Sequence, residues 1–346
     1  MTNARGGLDR RTLLKGGIFT LAASTGGLAL LVPRPGHAAP AKIIVQYDWL
    51  MSNGQIGDIV ALKKGYLQDA GFDVEFSPGG PNSATVPPVV TGQAALGQFS
   101  DSAQLLLARA SGVPVKIIAC GFRQGPFAFY SLPKAPIRSV QDMVGKRIGI
   151  QPTARFVLDA ILAKNKIDPS SLTITNIGFD MTPLVTGQVD SVTGWITNTQ
   201  ALSVIGPERI DLMMSATGLP SYSNVYFATD AALETSSETL AKFIGAVGKG
   251  WGWTYENPKE AVEITVAAYP QLDLATELKT IPLIQKLSFD AATKKDGWGT
   301  FDPAAIAEQI AIYDQIGQFK GGAPKLEDVM TTKILDMTAA ERPRLG

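Results

Sequence analysis

The sequence predicts an α/β protein of two related lobes, each a sheet covered by helices. Two observations predict this class. Short apolar runs alternate with helical patterns along most of the chain, which is the arrangement of a parallel sheet with its connecting helices. In addition, the segment at residues 88–93 recurs in closely similar form at residues 183–188. Both copies precede an apolar run with an aromatic end, so we interpret them as equivalent units of two lobes.

The first lobe is predicted to open with a strand over residues 43–49. A helix follows from about residue 55 to residue 70, and Gly71 ends it, because glycine readily adopts the left-handed conformation that closes helices. The next strand covers residues 73–77 and leads into a turn at residues 79–82.

Each copy of the repeat predicts a short helix closed by glycine and followed by a strand. The two strands cover residues 94–99 and 189–195, and they end on Phe99 and Trp195. Polar residues follow both aromatic side chains. The two lobes are therefore expected to present matching strand ends to a shared ligand site.

Between the copies, the pattern predicts a strand over residues 147–150 and a helix over residues 153–166. After about residue 230 the chain is mostly helical, and this tail is expected to pack back on the first lobe. Residues 248–253 imitate a nucleotide-binding loop, but no strand precedes them, so their tryptophans are expected to pack the tail. One tail helix places three residues on a single face: Ile306, Ile310 and Tyr313.

The first 38 residues have the composition of an export signal. Arg10 and Arg11 precede a weakly apolar stretch at residues 16–32, and small residues lead to a cleavage point after Ala38. This pattern predicts a twin-arginine signal peptide and a periplasmic location. The alternative, a transmembrane anchor, is disfavoured because glycine, serine and threonine dilute the stretch.

Composition excludes several classes of site. The 346 residues are long enough for two domains, and 31 basic residues balance 31 acidic ones, so no net field favours nucleic acid. The single cysteine, Cys120, excludes an internal disulfide and a multi-cysteine metal site. The single histidine, His37, lies in the signal peptide, so histidine-dependent acid–base catalysis is closed to the exported chain.

Several short segments carry a resemblance to a known family: Asp48-Trp49 with Gly57 downstream, and residues 64–74, 108–115, 145–150, 176–180 and 257–261. In this order and spacing, from about residue 43 to 320, they resemble periplasmic substrate-binding proteins of bacterial import systems. The most similar branch binds thiamin-pyrimidine precursors, with alkanesulfonate, taurine and nitrate binders as wider relatives.

The resemblance implies the type II periplasmic binding protein fold, in which two Rossmann-like lobes close on a ligand in a central cleft. It implies hinge crossings near residues 121–128 and 225–230. The expected lobes are residues 42–125 plus 228–346 and residues 126–227. The resemblance also implies a partner, the inner-membrane permease of an ABC importer.

The chain departs from the thiamin-pyrimidine branch at two places. Gln55 stands where those relatives have a histidine, and Asn198-Thr199-Gln200 stands where they have Asn-x-Glu. Some relatives use that histidine to build the pyrimidine, so the resemblance implies that this chain lacks the activity. The lost glutamate also argues against recognition of an aminopyrimidine.

Parallel strands place their carboxyl ends and the following helix starts on one edge, where ligands bind. The cleft is therefore expected at the loops after Trp49, Phe99, Ile150 and Gly194. Twelve residues at these loops are the predicted ligand site: Asp48, Trp49, Gln55, Phe99, Ser100, Asp101, Ser102, Gln151, Thr153, Arg155, Trp195 and Asn198.

Each residue type suits a role, with a structural alternative. Trp49, Phe99 and Trp195 suit stacking on a flat ligand, or they pack in the core. Asp48 could accept a hydrogen bond from the ligand or fix a loop. The side-chain amides of Gln55 and Asn198 could form hydrogen bonds with the ligand.

The remaining candidates lie at two helix starts. Residues 100–102 and 151–155 open predicted helices, whose free N–H groups suit a carboxylate, sulfonate or phosphate. Arg155 could pair with such a group. The alternative is ordinary capping by Ser100 or Thr153.

We therefore predict a monomeric exported binding protein that captures a small polar, heteroaromatic or anionic molecule, with no catalytic residue, metal or cofactor. Two alternatives remain open. One is an exported pyrimidine synthase-like enzyme with pyridoxal phosphate on a lysine, and the other is a ligand-sensing co-receptor.

Overall fold

The computed structural model describes residues 40–80, 83–178 and 180–346, and the side chain of Thr153 is not among the described groups. The predicted signal peptide and its cleavage point lie outside the described residues. Residues from Pro40 to Gly346 belong to one compact unit, which contains two sheets.

Ten strands form these sheets over the described residues. In chain order they are β1 (Ala41–Tyr47), β2 (Phe72–Ser77), β3 (Leu96–Phe99), β4 (Val115–Phe122), β5 (Phe127–Ser131), β6 (Arg147–Ile150), β7 (Thr173–Asn176), β8 (Ser191–Trp195), β9 (Ile210–Met213) and β10 (Ser223–Thr229).

The two sheets have the same arrangement. The first sheet has the order β2-β1-β3-β10-β4 and the second the order β7-β6-β8-β5-β9. In each, the first three strands of the order are parallel, the fourth is antiparallel to both its neighbours, and the fifth therefore runs in the direction of the first three. The expectation of two related α/β lobes is confirmed, but the sheets are mixed rather than parallel. The antiparallel strands, β5 and β10, arrive from the other sheet and so start at the carboxyl edge.

The helices cover most of the remaining chain. They are α1 (Ile56–Lys63), α2 (Tyr66–Asp69), α3 (Val86–Val90), α4 (Ser102–Ala110), α5 (Arg155–Lys164), α6 (Thr182–Val185), α7 (Thr199–Ser203), α8 (Asp230–Thr235), α9 (Ser237–Glu256), α10 (Pro258–Ala268), α11 (Leu274–Ser288), α12 (Ala291–Asp296), α13 (Pro303–Gln315), α14 (Leu326–Val329) and α15 (Lys333–Met337).

The helix predicted over residues 55–70 is wrong as a continuous element. It is divided into α1 and α2, because Gly65 adopts a left-handed conformation with φ of 84° and starts a new turn. A short 3-10 helix, Asn53–Gln55, precedes α1. The predicted end at Gly71 is confirmed by its φ of 91°.

The repeat is confirmed as a structural unit. α3 leads through Gly92 to β3, and α6 leads through Gly187 to β8; both glycines are left-handed, with φ of 75° and 76°. The strand ends also match, since β3 ends at Phe99 and β8 at Trp195. β1, by contrast, ends at Tyr47, so Trp49 lies in the loop rather than in the strand.

Two passages connect the sheets. The first passage, residues 123–126, joins β4 to β5 and falls inside the expected 121–128. The return passage, residues 218–222, lies upstream of the expected 225–230. That expectation is wrong because β10 is already the inner strand of the first sheet, bonded to β3 and β4.

The helical tail packs against the first sheet and its helices, as expected. α9 lies so near α1 that a Cβ on Gly250 would come within 2.2 Å of the Gly57 carbonyl oxygen. Trp251 is buried and stacks on Trp298 at 5.7 Å, so this glycine–tryptophan segment is a helix contact and not a phosphate loop. The predicted face of α13 is buried.

No helix in the described part of the chain is long and apolar enough to cross a membrane.

Candidate ligand site

The carboxyl edges of the two sheets face each other. The loop after β1 carries Asn53, whose side-chain amide donates to the backbone oxygen of Thr197, in the loop after β8, over 3.3 Å. The same amide donates over 2.8 Å to Glu277 Oε2 on α11. The tail helix α11 also reaches α7, where the hydroxyls of Thr199 and Thr280 lie 3.4 Å apart. This edge-to-edge meeting is the geometry in which open α/β sheets bind ligands.

A second contact between the two parts lies at α5 and α13. Lys164 forms an ion pair with Glu308. The rings of Phe156 and Tyr313 lie 5.8 Å apart. The helical tail therefore bridges to the second sheet through two separate helices, α11 and α13.

Asp48 fixes a loop at this edge. Its carboxylate accepts hydrogen bonds from the backbone N–H and the hydroxyl of Ser100, at 2.7 and 2.9 Å. Burial raises the pKa of Asp48 to about 6, because loss of water disfavours the charged form more than these two bonds favour it. The pair ties the loop after β1 to the loop after β3.

Asp101 caps α4. Its carboxylate accepts from the backbone N–H of Ala103 over 2.7 Å and from the hydroxyl of Ser221, in the return passage, over 2.8 Å. Ser102 is buried and donates to Gln309 on α13. The sequence predicts Ser100 as the alternative N-cap of α4. In the structure Asp101 is the N-cap, and the hydroxyl of Ser100 donates a hydrogen bond to Asp48 instead.

Gln55 is directed into the first sheet. Its amide donates to Gln98 Oε1 over 3.0 Å, and its oxygen closes a capping box by accepting from the backbone N–H of Ser52. Only 5% of the residue is exposed. At the position of the relatives' histidine, this chain therefore holds a loop-fixing amide.

Gln98 donates a hydrogen bond to Asp58, a buried acid that the sequence analysis does not identify. Asp58 is fully buried and accepts hydrogen bonds from the hydroxyls of Tyr47 and Tyr226, both at 2.7 Å, and from the indole N–H of Trp251 at 3.0 Å. Burial raises the pKa of Asp58 to about 6, although these donors oppose the rise. In the sequence, the indication of this site is a single acidic residue within the apolar run that forms α1.

The three predicted aromatic residues differ in exposure. Trp49 is 40% exposed in the loop after β1. Trp195 is half-buried at the end of β8, beside Phe127 of β5. Phe99 is 8% exposed and stacks on Phe227 at 5.2 Å, which is the core-packing alternative for this residue.

The polar candidates of the second sheet have protein partners. Gln151 donates to the Gly178 oxygen and accepts from the hydroxyl of Thr193. Arg155 forms an exposed pair with Asp159 at 2.8 Å, and Asn198 caps α7. The helix predicted from residue 153 begins at Arg155, behind a 3-10 turn at Pro152–Ala154.

Of two cavities, one lies where the sheets connect and the other lies among α1, α10 and α11, and none of the twelve predicted residues lines either. One, of about 250 Å³, lies between the two passages and the start of α13, with Arg123, Tyr222 and Glu308 in its wall. The other is a narrow pocket beside Asn53 and Glu277.

The described residues include no group of histidine, cysteine and acidic side chains that could hold a metal ion. Cys120 is buried in β4, and burial raises the pKa of its thiol, so it is the inert core cysteine that the sequence predicts.

A family model described as NMT1/THI5 like matches residues 53–261. The chain belongs to this family. The resemblance predicted from the short sequence segments is confirmed.

Three curated relatives are similar in sequence. A formylaminopyrimidine-binding protein of Halalkalibacterium halodurans is 27% identical over 70% of this chain and 77% of its own length. A riboflavin-binding protein of Chloroflexus aurantiacus is 27% identical over 62% of this chain and 63% of its own. A 4-amino-5-hydroxymethyl-2-methylpyrimidine phosphate synthase of Legionella pneumophila is 30% identical over 52% of this chain and 57% of its own length.

The fold is shared with solved binding proteins. The periplasmic aliphatic sulphonate binding protein of Escherichia coli superposes with a TM-score of 0.64 at 14% identity, covering 84% of this chain and 96% of that one. At this identity the likeness shows the fold alone, and it confirms the type II periplasmic binding protein architecture.

Proposed function

We propose that this chain is the exported solute-binding component of an ABC importer. It captures a small polar or heteroaromatic molecule between the carboxyl edges of its two sheets and delivers it to an inner-membrane permease. The observation that carries the proposal is the meeting of those edges at Asn53 and Thr197. Membership of a family with pyrimidine-binding and riboflavin-binding relatives supports it.

The two sheets are the two lobes of this proposal. The first sheet and the tail helices form one lobe, and the second sheet with α5 to α7 forms the other. The proposed lobe boundaries are the two passages, residues 123–126 and 218–222. Closure rotates the lobes about the two passages.

Within the cleft, Trp49 and Trp195 are the ligand-stacking residues of the proposal. Trp49 has an exposed face in the loop after β1, and Trp195 is only half-buried at the end of β8. An exposed indole beside a ligand site supplies flat apolar area together with an N–H donor. Trp49 and Trp195 are preferred for the exposure of their rings, and the nine other described candidates are proposed to support the cleft through their hydrogen bonds and packing.

Tryptophan fluorescence tests the proposal. Full-length mature protein is titrated with riboflavin and with 4-amino-5-hydroxymethyl-2-methylpyrimidine, and thermal unfolding is followed in parallel. Binding is expected to change the emission and raise the melting temperature by mass action. Trp49→Phe should reduce the emission change, whereas Trp253→Phe, on α9, should leave it intact. Absence of both effects across a wider solute screen would contradict the function.

The synthase remains the second candidate, because one relative carries that name. Its chemistry would need a Schiff-base lysine and, in relatives, a histidine where this chain has Gln55. Gln55 is bonded to Gln98 and Ser52 rather than available to a cofactor. Purified protein is incubated with pyridoxal phosphate and then dialysed. We expect no absorbance band at about 400 nm after dialysis. Such a band would favour the enzyme.

The partner and the oligomeric state complete the proposal. A monomer is expected to dock on the permease through both lobes, because only the closed protein presents the two together. Light scattering of the purified protein with and without riboflavin measures the state, and a stable dimer would contradict this part.

A further inference from the structure

Asp58 lies in the core of the first lobe and is surrounded by hydrogen-bond donors. Tyr47, Tyr226 and Trp251 donate to its two oxygens over 2.7 to 3.0 Å. A fourth donor is the side-chain amide of Gln98, at 3.4 Å. Within the described residues, no lysine or arginine forms an ion pair with this carboxylate. Neutral donors therefore stabilise its charge, and the charge in turn fixes the direction in which each donor points.

Two side-chain amides, which we call the amide relay, connect this carboxylate to the loop after β1. Gln98 Nε2 points to Asp58, so Gln98 Oε1 points the other way and accepts from Gln55 Nε2 over 3.0 Å. Gln55 Oε1 in turn accepts from the backbone N–H of Ser52 over 3.2 Å. A side-chain amide has donors on one branch and an acceptor on the other. The direction of the first amide therefore determines the direction of the second.

The last bond of the relay fixes the part of the loop that meets the second lobe. Ser52 and Gln55 form a capping box around Asn53, and the Asn53 amide donates to the Thr197 oxygen in the loop after β8. Gln55 and Gln98 are only 5% and 1% exposed. A lost bond in the relay is therefore not readily replaced by a bond to water.

We infer that Asp58 is a positioning residue for the ligand loop: its negative charge sets the direction of the amide relay and thereby holds residues 52–55 against the second lobe. The effect on ligand binding rests on the proposed function, but the relay itself belongs to the ligand-free protein. Reversal of the relay would release the loop, because an N–H of Gln55 would then face the N–H of Ser52.

Asp58→Asn is expected to reverse the relay with little change in side-chain size. The Trp251 indole donates and cannot accept, so the asparagine oxygen takes the Oδ1 position that the indole contacts. The asparagine NH₂ then takes the Oδ2 position, where it faces the Gln98 amide and turns it round. The bond between Gln55 and Ser52 is lost as a result.

Amide hydrogen exchange of the ligand-free mature protein measures the release. The experiment is run at pH 8, where Asp58 is ionised because its pKa is about 6. Loss of one buried hydrogen bond is expected to raise the exchange rate at residues 52–57 about fivefold in Asp58→Asn. Exchange in α4 is the internal control and should stay within twofold of wild type. Equal acceleration in α4 would show general loosening of the lobe and would overturn the inference.

A second substitution at the other end of the relay supplies the decisive control. Gln55→Glu alone is expected to accelerate exchange at residues 52–57, because its carboxylate faces the Gln98 oxygen. In the double variant Asp58→Asn/Gln55→Glu, the reversed Gln98 amide donates to the new carboxylate, which still accepts from the Ser52 N–H. The double variant has the net charge of wild type, and its exchange is expected to return to within twofold of wild type. A purely structural role of Asp58 predicts no such rescue, so exchange as fast as in Asp58→Asn overturns the inference.

Gln98→Met keeps the inference testable if Asp58→Asn does not fold. This change removes the relay while the acid keeps its three other donors. Exchange at residues 52–57 is again expected to rise about fivefold. Unchanged exchange would show that the relay does not hold the loop.

Binding measurements separate this inference from the proposed function. The two probes are riboflavin and 4-amino-5-hydroxymethyl-2-methylpyrimidine. A probe that binds wild type is expected to bind Asp58→Asn about fivefold more weakly and the double variant within twofold of wild type. Equal affinity of Asp58→Asn and wild type overturns the role in ligand binding. If neither probe binds wild type, the result counts against the proposed function, and the exchange rates still decide whether the relay holds the loop.

Discussion

The side-chain amide of Asn53 donates to the buried carboxylate of Glu277 over 2.8 Å. The second N–H of the same amide is directed to the Thr197 oxygen, 3.3 Å away in the loop after β8. One neutral side chain therefore joins the loop after β1, the helix α11 and the loop after β8. Among the described side chains, only Asn53 donates a hydrogen bond to the Glu277 carboxylate.

Replacing Asn53 by alanine is expected to loosen the second sheet's loop. The change removes the bond to Thr197 and leaves Glu277 without its donor. Loss of one such bond is worth about 1 kcal/mol, which corresponds to roughly fivefold faster opening. Amide hydrogen exchange at residues 197–203 of the ligand-free protein should therefore rise by roughly that factor. Asn257→Ala, which removes a local bond to Trp253 on α9, is the control. Equal exchange in the two variants would contradict a bridging role.

Asp58 is expected to make stability depend on pH between 5 and 7. Its pKa is about 6 in the folded chain and ordinarily 3.8, so the folded state binds the proton more tightly. The stabilisation is complete below the ordinary value and is lost as the pH rises through about 6. This one group should lower the free energy of unfolding by roughly 1 kcal/mol from pH 5 to pH 7.

Asp58→Asn should flatten that dependence by the same amount, measured by urea unfolding at the two pH values. Asp142→Asn is the control. Backbone N–H groups of Arg138 and Ser139 lower the pKa of Asp142, so its contribution is lost only at lower pH. A wild-type slope in Asp58→Asn would show that the buried acid does not titrate in this range.

Gly250→Ala is expected to destabilise the first lobe by roughly 2 kcal/mol or more. The added methyl would come within 2.2 Å of the Gly57 oxygen and 2.7 Å of Ala61 Cβ, so α9 and α1 must separate. Gly248→Ala, on the same helix, brings its methyl no nearer than 3.4 Å to Pro343 and removes a poor helix former. It should be neutral or slightly stabilising in thermal unfolding. Similar losses in both variants would argue for a general intolerance of α9 to alanine.

The contact between α5 and α13 is expected to depend on its apolar pair. Tyr313 is buried against Phe156, so Tyr313→Ala should cost about 3 kcal/mol. Glu308→Gln breaks the ion pair with Lys164, both of whose side chains are more than a third exposed, and should cost under about 1 kcal/mol. Urea midpoints of the two variants measure the difference. A larger loss from Glu308→Gln would reverse this ranking.

Much of the architecture is readable from local sequence. Gly92 and Gly187 end the repeated helices because only glycine takes their left-handed conformation without cost, and the apolar runs that follow become β3 and β8. The return passage was misplaced because an apolar run such as β10 reads the same in either lobe. Its place between β3 and β4 depends on hydrogen bonds to strands more than a hundred residues earlier in the chain.

The ligand site shows where such reading ends. Trp49 and Trp195 are predicted from apolar runs, but the roles of Phe99, Gln55 and Asp101 depend on Phe227, Gln98 and Ser221, which lie far away in the chain. A side chain's type states which bonds it is able to make, and only its neighbours in space decide which are made.

Local sequence alone predicts the family and the paired lobes, because periodicity and turn glycines act over a few residues. Only the tertiary structure shows that Asp58 is buried among two tyrosines and a tryptophan, and that Asn53 connects the loops of the two sheets. These features arise from long-range packing, which determines the water and charge around each group.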